Sequence, residues 1–259
     1  MTSPERAGGI MSGHSKWATT KHRKGAKDSA RAKVFAKLIR QVEVAAREGG
    51  GDQSANAALR TMFQKAREAS VPLDTIERAV KRGTGELEGV RYEAISYEGY
   101  GQGGVAIIVE TLSDNRNRTS AEIKHAFSKN GGNIAEPGAV SWQFDRKGII
   151  EVQGPIDEDQ LLEWVMEAGA ENFTPNGDNF FITTDPTEVG MVRDTLEGFG
   201  VKVLSADLTL VAQNAIPLTD KVEAHKLLRL MDAIDDHDDV QNVFANFDIS
   251  DEILSSYEG

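Results

Sequence analysis

The 259-residue chain contains no cysteine. This absence excludes disulfides, a thiolate nucleophile and cysteine-ligated zinc or iron–sulfur centres, and it fits a reducing compartment without proving one. No apolar run approaches the roughly 20 residues that a membrane-spanning helix needs. The first ten residues, MTSPERAGGI, lack the apolar core of a signal peptide. We therefore expect a soluble, cytoplasmic protein that does not bind a membrane.

Sequence motifs for catalysis and for cofactor binding are also missing. The chain has no G-x-x-x-x-G-K-[ST] phosphate loop, no H-E-x-x-H spacing and no G-x-S-x-G nucleophile elbow. The stretch from Gly101 to Ala106 matches G-x-G-x-x-A, but a strand pattern follows it, where a dinucleotide fingerprint requires a helix. The glycines instead favour a hairpin turn. We expect no enzymatic activity, no cofactor and no bound metal.

Four aspartates surround His237 at the end of a predicted helix. They are Asp235, Asp236, Asp238 and Asp239. Such a cluster suggests a divalent cation, but it lacks the glycine and the distal glutamate of an EF-hand loop. We interpret it as a solvated helix end.

Basic residues are concentrated near the N-terminus of an otherwise acidic chain. The formal net charge is −12, yet residues 1–91 hold 18 Lys and Arg against 10 Asp and Glu, whereas residues 92–259 hold 11 against 31. Such asymmetry indicates a basic segment that engages a polyanion, with a solvated charge run as the alternative. The acidic remainder would repel the same polyanion, so we expect contact at one end only.

The basic segment divides into an arm and the first predicted helix. From Asp28 onward, apolar residues recur at helical spacing, while Lys33, Lys37 and Arg40 fall on the opposite, outer face. Both parts suit contact with phosphates, which makes binding salt-dependent. The candidate nucleic-acid-binding residues are Lys16, Trp17, Lys21, Arg23, Lys24, Lys27, Lys33, Lys37 and Arg40.

Trp17 admits two interpretations. Its ring can stack on an exposed base, as aromatic side chains do in proteins that bind RNA or single strands. Alternatively, it is a hydrophobic anchor that holds the arm on the helical domain, and we prefer this second interpretation.

A second candidate phosphate site lies in DNRNRT, between a predicted strand and a predicted helix. Arg116 and Arg118 would project at the helix N-terminus, where free N–H groups and guanidinium groups both suit phosphate. Alternatively, both arginines pair with acids of the same domain, and the sequence leaves the two alternatives open.

Periodicity divides the chain into helical and mixed parts. We predict an α+β multidomain protein, with an N-terminal three-helix domain followed by two open-sheet, ferredoxin-like α+β domains, one of them discontinuous. Two sequential α+β domains are the alternative arrangement. Within the mixed part, AVSWQF and GIIEVQ are predicted as two strands separated by a turn at DRKG. The predicted segments are a disordered leader at 1–10, the basic arm at 11–27, the helical domain at 28–91, the discontinuous domain at 92–138 plus 203–259, and the inserted domain at 139–202.

Several motifs in order support a family resemblance. SGHSKWATTKHRKGAKDSARAK, VPLDTIERAVKRGTGE, YEGYGQGGVAIIVETLSDNRNRT and NGGNIAEPGAVSWQF together resemble the YebC/PmpR family, and the likeness runs from Met11 to the C-terminus. The resemblance implies a helical N-terminal domain followed by two α+β domains, one discontinuous. The ten residues before Met11 depart from the family pattern and make Met11 a second candidate start.

The resemblance implies two functions. Family members carry the label of probable transcriptional regulators that bind DNA, whereas mitochondrial and some bacterial relatives are understood as translation factors at the ribosome. Arg78, Lys81 and Arg82 on the third predicted helix offer few base-reading side chains, so no recognition helix is evident. We expect a nucleic-acid partner, DNA or ribosomal RNA, with the ribosome as a further candidate partner and a monomer as the favoured state. A protein-interaction module built on the acidic domains is a third class, but it leaves the arm without a role.

Overall fold

The computed structural model describes Trp17 and residues 27–257. The predicted leader and most of the predicted arm lie outside these residues. None of the described helices is long and apolar enough to cross a membrane. The described residues form two compact units, one of residues 141–217 and 244–248, and the other of Trp17, 27–140, 218–243 and 249–257.

The N-terminal part is a three-helix domain. Its helices are α1 (Lys27–Gly49), α2 (Ala57–Glu68) and α3 (Leu73–Thr84). Their apolar faces form one core around Val42, Leu59 and Ile76, each fully buried. Burying such side chains is worth roughly 1.5–3 kcal/mol each, so this core holds the three helices together.

Asn56 fixes the turn between α1 and α2. Its Oδ1 accepts a hydrogen bond from the backbone N–H of Leu59 (3.0 Å), which caps the N-terminus of α2. Its Nδ2 donates to the carbonyls of Ala45 and Gly50, both at 2.8 Å, at the end of α1. One buried side chain thus satisfies backbone groups of both helix ends.

The α+β part follows in a regular order. Its elements are β1 (Glu93–Tyr100), β2 (Ala106–Ser113), α4 (Arg116–Lys129), β3 (Asn133–Ala135), β4 (Phe144–Val152), α5 (Glu158–Glu167), β5 (Asn172–Asn176), β6 (Asn179–Thr184), α6 (Val189–Gly198), β7 (Val203–Ala212), β8 (Ile216–Pro217), α7 (Lys221–Asp235), β9 (Val240–Ala245), β10 (Phe247–Asp248) and α8 (Asp251–Ser255). Short 3-10 turns occupy Gln102–Gly104 and Ser141–Gln143.

The first sheet has the strand order β3-β1-β2-β9. β1 and β2 form an antiparallel hairpin, and Gly103 (φ 67°) and Gly104 (φ 77°) supply the positive φ of its turn. The predicted glycine-rich hairpin at this position is therefore confirmed. A Cβ on Gly99 would meet the ring of Phe127, so α4 packs closely against β1.

A buried carboxylate holds the loop that follows β3. Glu98 is 8% exposed, and its two oxygens accept hydrogen bonds from the backbone N–H groups of Gly138 (2.8 Å) and Val140 (2.7 Å). Charge-assisted bonds of this kind are stronger than neutral ones. The loop is therefore fixed by β1, which precedes it by about 40 residues.

The second sheet has the order β5-β6-β4-β7, with each neighbouring pair antiparallel. Together with α5 and α6 it has βαββαβ connectivity, the ferredoxin-like arrangement. Its core surrounds Ile150, Leu161, Ile182 and Leu196, all fully buried. A Cβ on Gly148 would overlap Val189 and lie 2.7 Å from Thr184, so α6 packs tightly on β4.

The predicted fold class is confirmed, and three details of the prediction are wrong. The AVSWQF stretch is not a strand, because Ser141–Gln143 form a 3-10 turn and β4 begins only at Phe144. The DRKG stretch is no turn, because β4 runs through it and pairs with β7 from Asp145↔Val211 to Gly148↔Leu208. β7 was predicted within the segment 203–259 of the discontinuous domain, yet it pairs with β4 of the inserted domain. β7 and β8 belong to the compact unit of residues 141–217 and 244–248. The prediction failed here because a strand pattern identifies a strand but not its partner.

Candidate nucleic-acid interface

The basic face of α1 meets the acidic C-terminal end of α7. Lys33 Nζ lies 3.2 Å from Asp236 Oδ1, and Lys37 Nζ lies 3.0 Å from Asp235 Oδ1. Both amines also donate to the carbonyl oxygens of the same two residues, at 3.3 and 3.2 Å. Cations are stabilised at the C-terminus of a helix because unsatisfied carbonyls concentrate negative charge there.

Asp239 binds Arg40, the third cation of this face of α1. Its side chain is 4% exposed, and Oδ1 lies 2.9 Å from Arg40 Nη1. Its Oδ2 accepts from Arg118 Nη2 (2.7 Å) and from Thr119 Oγ1 (2.6 Å), both on α4. Arg40 Nη1 also donates to the carbonyl of Asp238 at 2.6 Å. One carboxylate therefore ties the helical domain to the discontinuous domain.

The surroundings of Asp239 favour its charged form. Burial by itself would raise the pKa of this carboxyl, but hydrogen bonds from Thr119 and Arg118 and the charges of Arg118 and Arg40 outweigh burial. The pKa of Asp239 therefore lies below its usual value. An ionised Asp239 therefore strengthens the contact between α1 and the turn that follows α7.

Lys33, Lys37 and Arg40 do not form the free outer face that the helical pattern predicts. Their side chains are 42%, 18% and 20% exposed, and each is paired with an aspartate. The solvated helix end predicted at 235–239 is confirmed only for Asp236 and Asp238, which are exposed, whereas Asp235 is half-buried and Asp239 is buried against their cations. The acids concerned are about 200 residues away in sequence, so periodicity within α1 could not reveal them. Phosphate contact by the three cations stays a prediction.

His237 forms hydrogen bonds through both ring nitrogens at the same turn. Its Nδ1 accepts a hydrogen bond from the backbone N–H of Asp239 (3.1 Å), so in the neutral ring Nε2 carries the proton and donates to Glu122 Oε2 at 2.7 Å. Among the described residues, no group of His, Cys, Asp and Glu is arranged to hold a metal ion.

Arg116 and Arg118 both pair with acids. Arg116 Nη1 lies 3.1 Å from Glu93, and Arg118 Nη2 lies 2.8 Å from Asp114 in addition to its bond with Asp239. Of the two alternatives that the sequence left open, the structure shows the ion pairs. A phosphate-binding role for these arginines stays a prediction.

The arm contributes one described side chain. Trp17 is 6% exposed, which agrees with the hydrophobic-anchor interpretation and leaves little of the ring for stacking on a base. Lys27 is the first residue of α1. The remaining arm candidates, Lys16, Lys21, Arg23 and Lys24, lie outside the described residues.

The helical domain exposes further cations outside the predicted interface. Arg67, Arg78 and Lys81 are exposed and form no ion pair with another described residue. Arg82, by contrast, pairs with the buried carboxylate of Glu43 at 2.8 Å. For Arg67 and Lys81, the available signal was the enrichment of basic residues in the last turns of α2 and α3.

Known proteins are similar to this chain over almost all of its length. Residues 15–86 match the family model described as the TACO1/YebC protein N-terminal domain, and residues 92–247 match that of the TACO1/YebC second and third domain. A protein of Halothermothrix orenii is 53% identical over 94% of this chain and 98% of its own length, and one of Acidithiobacillus ferrooxidans is 50% identical over 96% and 99%. Both are named probable transcriptional regulatory protein. The crystal structure of a conserved hypothetical protein of Aquifex aeolicus superimposes with a TM-score of 0.83 at 44% identity, covering 92% of this chain and 99% of that one.

Proposed function

The chain belongs to the TACO1/YebC family, and we propose that it is a non-enzymatic, nucleic-acid-binding regulator of gene expression whose target is DNA. The similar proteins named above as probable transcriptional regulators support the regulatory part. The observation that carries the nucleic-acid part is the concentration of basic residues in the segment 11–40 of a chain whose net charge is −12. The family's N-terminal domain begins at residue 15, so this segment lies almost entirely within it.

The charged groups favour recognition of the phosphate backbone over recognition of bases. Lysine and arginine side chains that neutralise phosphates release counterions, which drives binding and makes it salt-dependent. Such contacts position a protein on nucleic acid but carry no sequence information. The exposed cations Arg67, Arg78 and Lys81 extend the basic surface of the helical domain beyond α1.

The test compares the full chain with an arm variant in which Lys21, Arg23, Lys24 and Lys27 are changed to Glu. Binding to labelled duplex DNA and to single-stranded RNA of equal length is measured by fluorescence anisotropy over a series of salt concentrations. We expect the arm variant to lose most of its affinity, because four attractive charges become repulsive.

A matched control carries the same change of charge elsewhere. Lys124, Lys129, Lys221 and Lys226 are exposed lysines on α4 and α7 that form no ion pair with described residues. Changing these four to Glu should reduce affinity much less than the arm variant does. Equal losses in the two variants would refute a specific role for the arm.

Sedimentation of cell extract at moderate salt distinguishes DNA from the ribosome as the target. Association with DNA that the arm variant loses, together with a protected site on DNA, supports the proposal. If the parent chain instead co-sediments with ribosomes and the arm variant does not, the regulator acts in translation and the DNA assignment is wrong.

A further inference from the structure

We propose that Asp235 and Asp236 act as a built-in competitor for the phosphate-binding face of α1. The inference rests on the proposed function, because it assigns a control to the same basic surface. In the structure, the two carboxylates lie 3.2 and 3.0 Å from the amines of Lys33 and Lys37, so a polyanion competes with them for these amines.

The spacing of the cations fits a run of phosphates. From Lys33 to Arg40, the face covers about 10.5 Å of helix axis, at about 1.5 Å per residue. Neighbouring phosphates on one strand of duplex DNA are separated by more than the axial rise of about 3.4 Å per step, so a face of this length can contact a short run of them. The end of α7 presents carboxylate and carbonyl oxygens to the same amines, in the places that phosphate oxygens would take.

The contact is graded in strength along α1. The pair of Lys33 and Asp236 is the most exposed, with side chains 42% and 60% exposed, and exposed pairs contribute little. The pair of Lys37 and Asp235 is intermediate, at 18% and 26%. Arg40 binds Asp239, which is 4% exposed and has three donors. Release therefore begins at Lys33 and includes Lys37, while Arg40 and Asp239 stay joined as a pivot.

Competition of this kind is reciprocal. If the acidic end of α7 weakens polyanion binding by some factor, a bound polyanion weakens the contact between α1 and α7 by the same factor. A ligand with one or two phosphates gains too little to displace both carboxylates, whereas a continuous backbone offers several phosphates at once. The device would thus favour long nucleic-acid strands over small phosphorylated molecules.

The test uses the full chain with Asp235→Asn and Asp236→Asn together. Both amide side chains keep the size of aspartate but lose its charge, so Lys33 and Lys37 lose their ion pairs and keep only neutral acceptors, which a phosphate can displace. Affinity for labelled duplex DNA and for single-stranded RNA is measured by anisotropy against salt. For duplex DNA, we expect the plot of log affinity against log salt to become steeper by about 2, since each freed lysine adds about 0.9. Affinity at low salt should rise roughly twofold to thirtyfold, the range that two such ion pairs allow.

A charge-matched control separates release from a change in net charge. Glu158→Gln with Asp159→Asn on α5 removes the same two charges in the other compact unit. An equal rise in affinity with this control would show a general charge effect and overturn the competitor.

Variants that lack the two lysines complete a double-mutant cycle with the aspartate variant. Lys33→Gln with Lys37→Gln should abolish the gain in the released variant but change the parent chain little, because the parent's lysines are already occupied. If the lysine changes weaken the parent as much as the released variant, the two amines already reach phosphate and the competitor is refuted.

The outcomes also separate this inference from the proposed function. If the parent binds through its arm and the released variant binds equally well, the competitor is wrong and the proposed function stands. If neither protein binds DNA or RNA, both are wrong. Should the double variant fail to fold, Asp236→Asn alone, at the exposed pair, should give about half the change in slope.

Discussion

Replacing Asp239 by alanine should loosen the attachment of the helical domain more than any other single change of charge at this contact. The substitution removes the acceptor shared by Arg40, Arg118 and Thr119, whose donor atoms lie 2.6–2.9 Å from its oxygens. The two arginines then lose their shared counter-charge. The hydroxyl of Thr119, a residue that is fully buried, also loses this acceptor.

The expected loss of stability follows from the burial of the two arginines. Breaking a buried ion pair costs about 3–5 kcal/mol when the remaining charge cannot reach water. Arg40 and Arg118 are 20% and 42% exposed, so both can be partly rehydrated, and we expect about 2–3 kcal/mol. At about 2–4 °C per kcal/mol for a domain of this size, the midpoint of thermal unfolding should fall by about 4–12 °C.

Calorimetry of the full chain measures the shift, and the neighbouring aspartate supplies the control. The side chain of Asp238 is exposed, and only its backbone carbonyl takes part in the contact with Arg40. Asp238→Ala removes the same charge one residue away, so its midpoint should stay within about 1–2 °C of the parent, since exposed positions rarely shift stability by more than about 0.5 kcal/mol. If Asp239→Ala lowers the midpoint no more than Asp238→Ala does, the carboxylate does not hold the domains and the argument fails.

The same residue sets a pH dependence with a definite sign. The pKa of Asp239 is lowered in the folded chain relative to the usual 3.8. The unfolded chain therefore takes up this proton first as the pH falls, so stability rises with pH. The advantage of the parent over Asp239→Asn should be complete above about pH 5 and should shrink as the pH falls below 3.8. A difference that stays constant down to the folded pKa would contradict the ionised state of Asp239.

Three further experiments test other parts of the structure. Gly148→Ala should destabilise the ferredoxin-like unit by about 1–3 kcal/mol in urea unfolding, because its Cβ would overlap Val189. Gly190→Ala, on a helix with open space around it, should be neutral or stabilising by up to about 1 kcal/mol, and a loss there equal to that of Gly148 would refute the packing argument. Glu98→Gln leaves one oxygen to accept from two loop amides, so their hydrogen exchange should accelerate roughly fivefold to tenfold for a loss of about 1–1.4 kcal/mol; unchanged exchange would contradict the anchor. With the other two tryptophans changed to Phe, the emission of Trp17 should be that of a buried indole and should stay unchanged on addition of DNA, whereas quenching would favour base stacking.

Local patterns predicted the elements of the fold well where the sequence itself contains the physical cause. The glycines before β2 require a turn with positive φ, and the structure has Gly103 and Gly104 in that conformation. The helical period of α1 likewise identified the buried side of the helix, including Val42. These features depend on residues a few positions apart, so the sequence pattern contains enough information.

Features that depend on distant partners were not predictable in the same way. The DRKG stretch has the composition of a turn, yet the nine residues of β4 continue through it because β7 pairs along its length. Propensity at DRKG is a weak preference, and a ladder of backbone hydrogen bonds with a neighbouring strand overrides it. The misplaced boundary at residue 203 has the same origin, since nothing within β7 specifies that its partner is β4.

In the candidate interface, too, the basic face of α1 was predictable from local residues, whereas its acidic partners were not. This changes how a basic segment on an acidic chain should be interpreted. A helix face that packs near an acidic domain is in contact with counter-charges from its own chain, so its cations are paired before any nucleic acid arrives. Lys37 and Arg40 are in this position, and Lys33 is at its exposed edge. Under the proposed function, phosphate binding depends first on cations without such partners, which among the described residues include Arg67, Arg78 and Lys81. Under the competitor proposal, Lys33 and Lys37 become available only when their contacts with the end of α7 break, so affinity should increase with the number of phosphates that a ligand presents together.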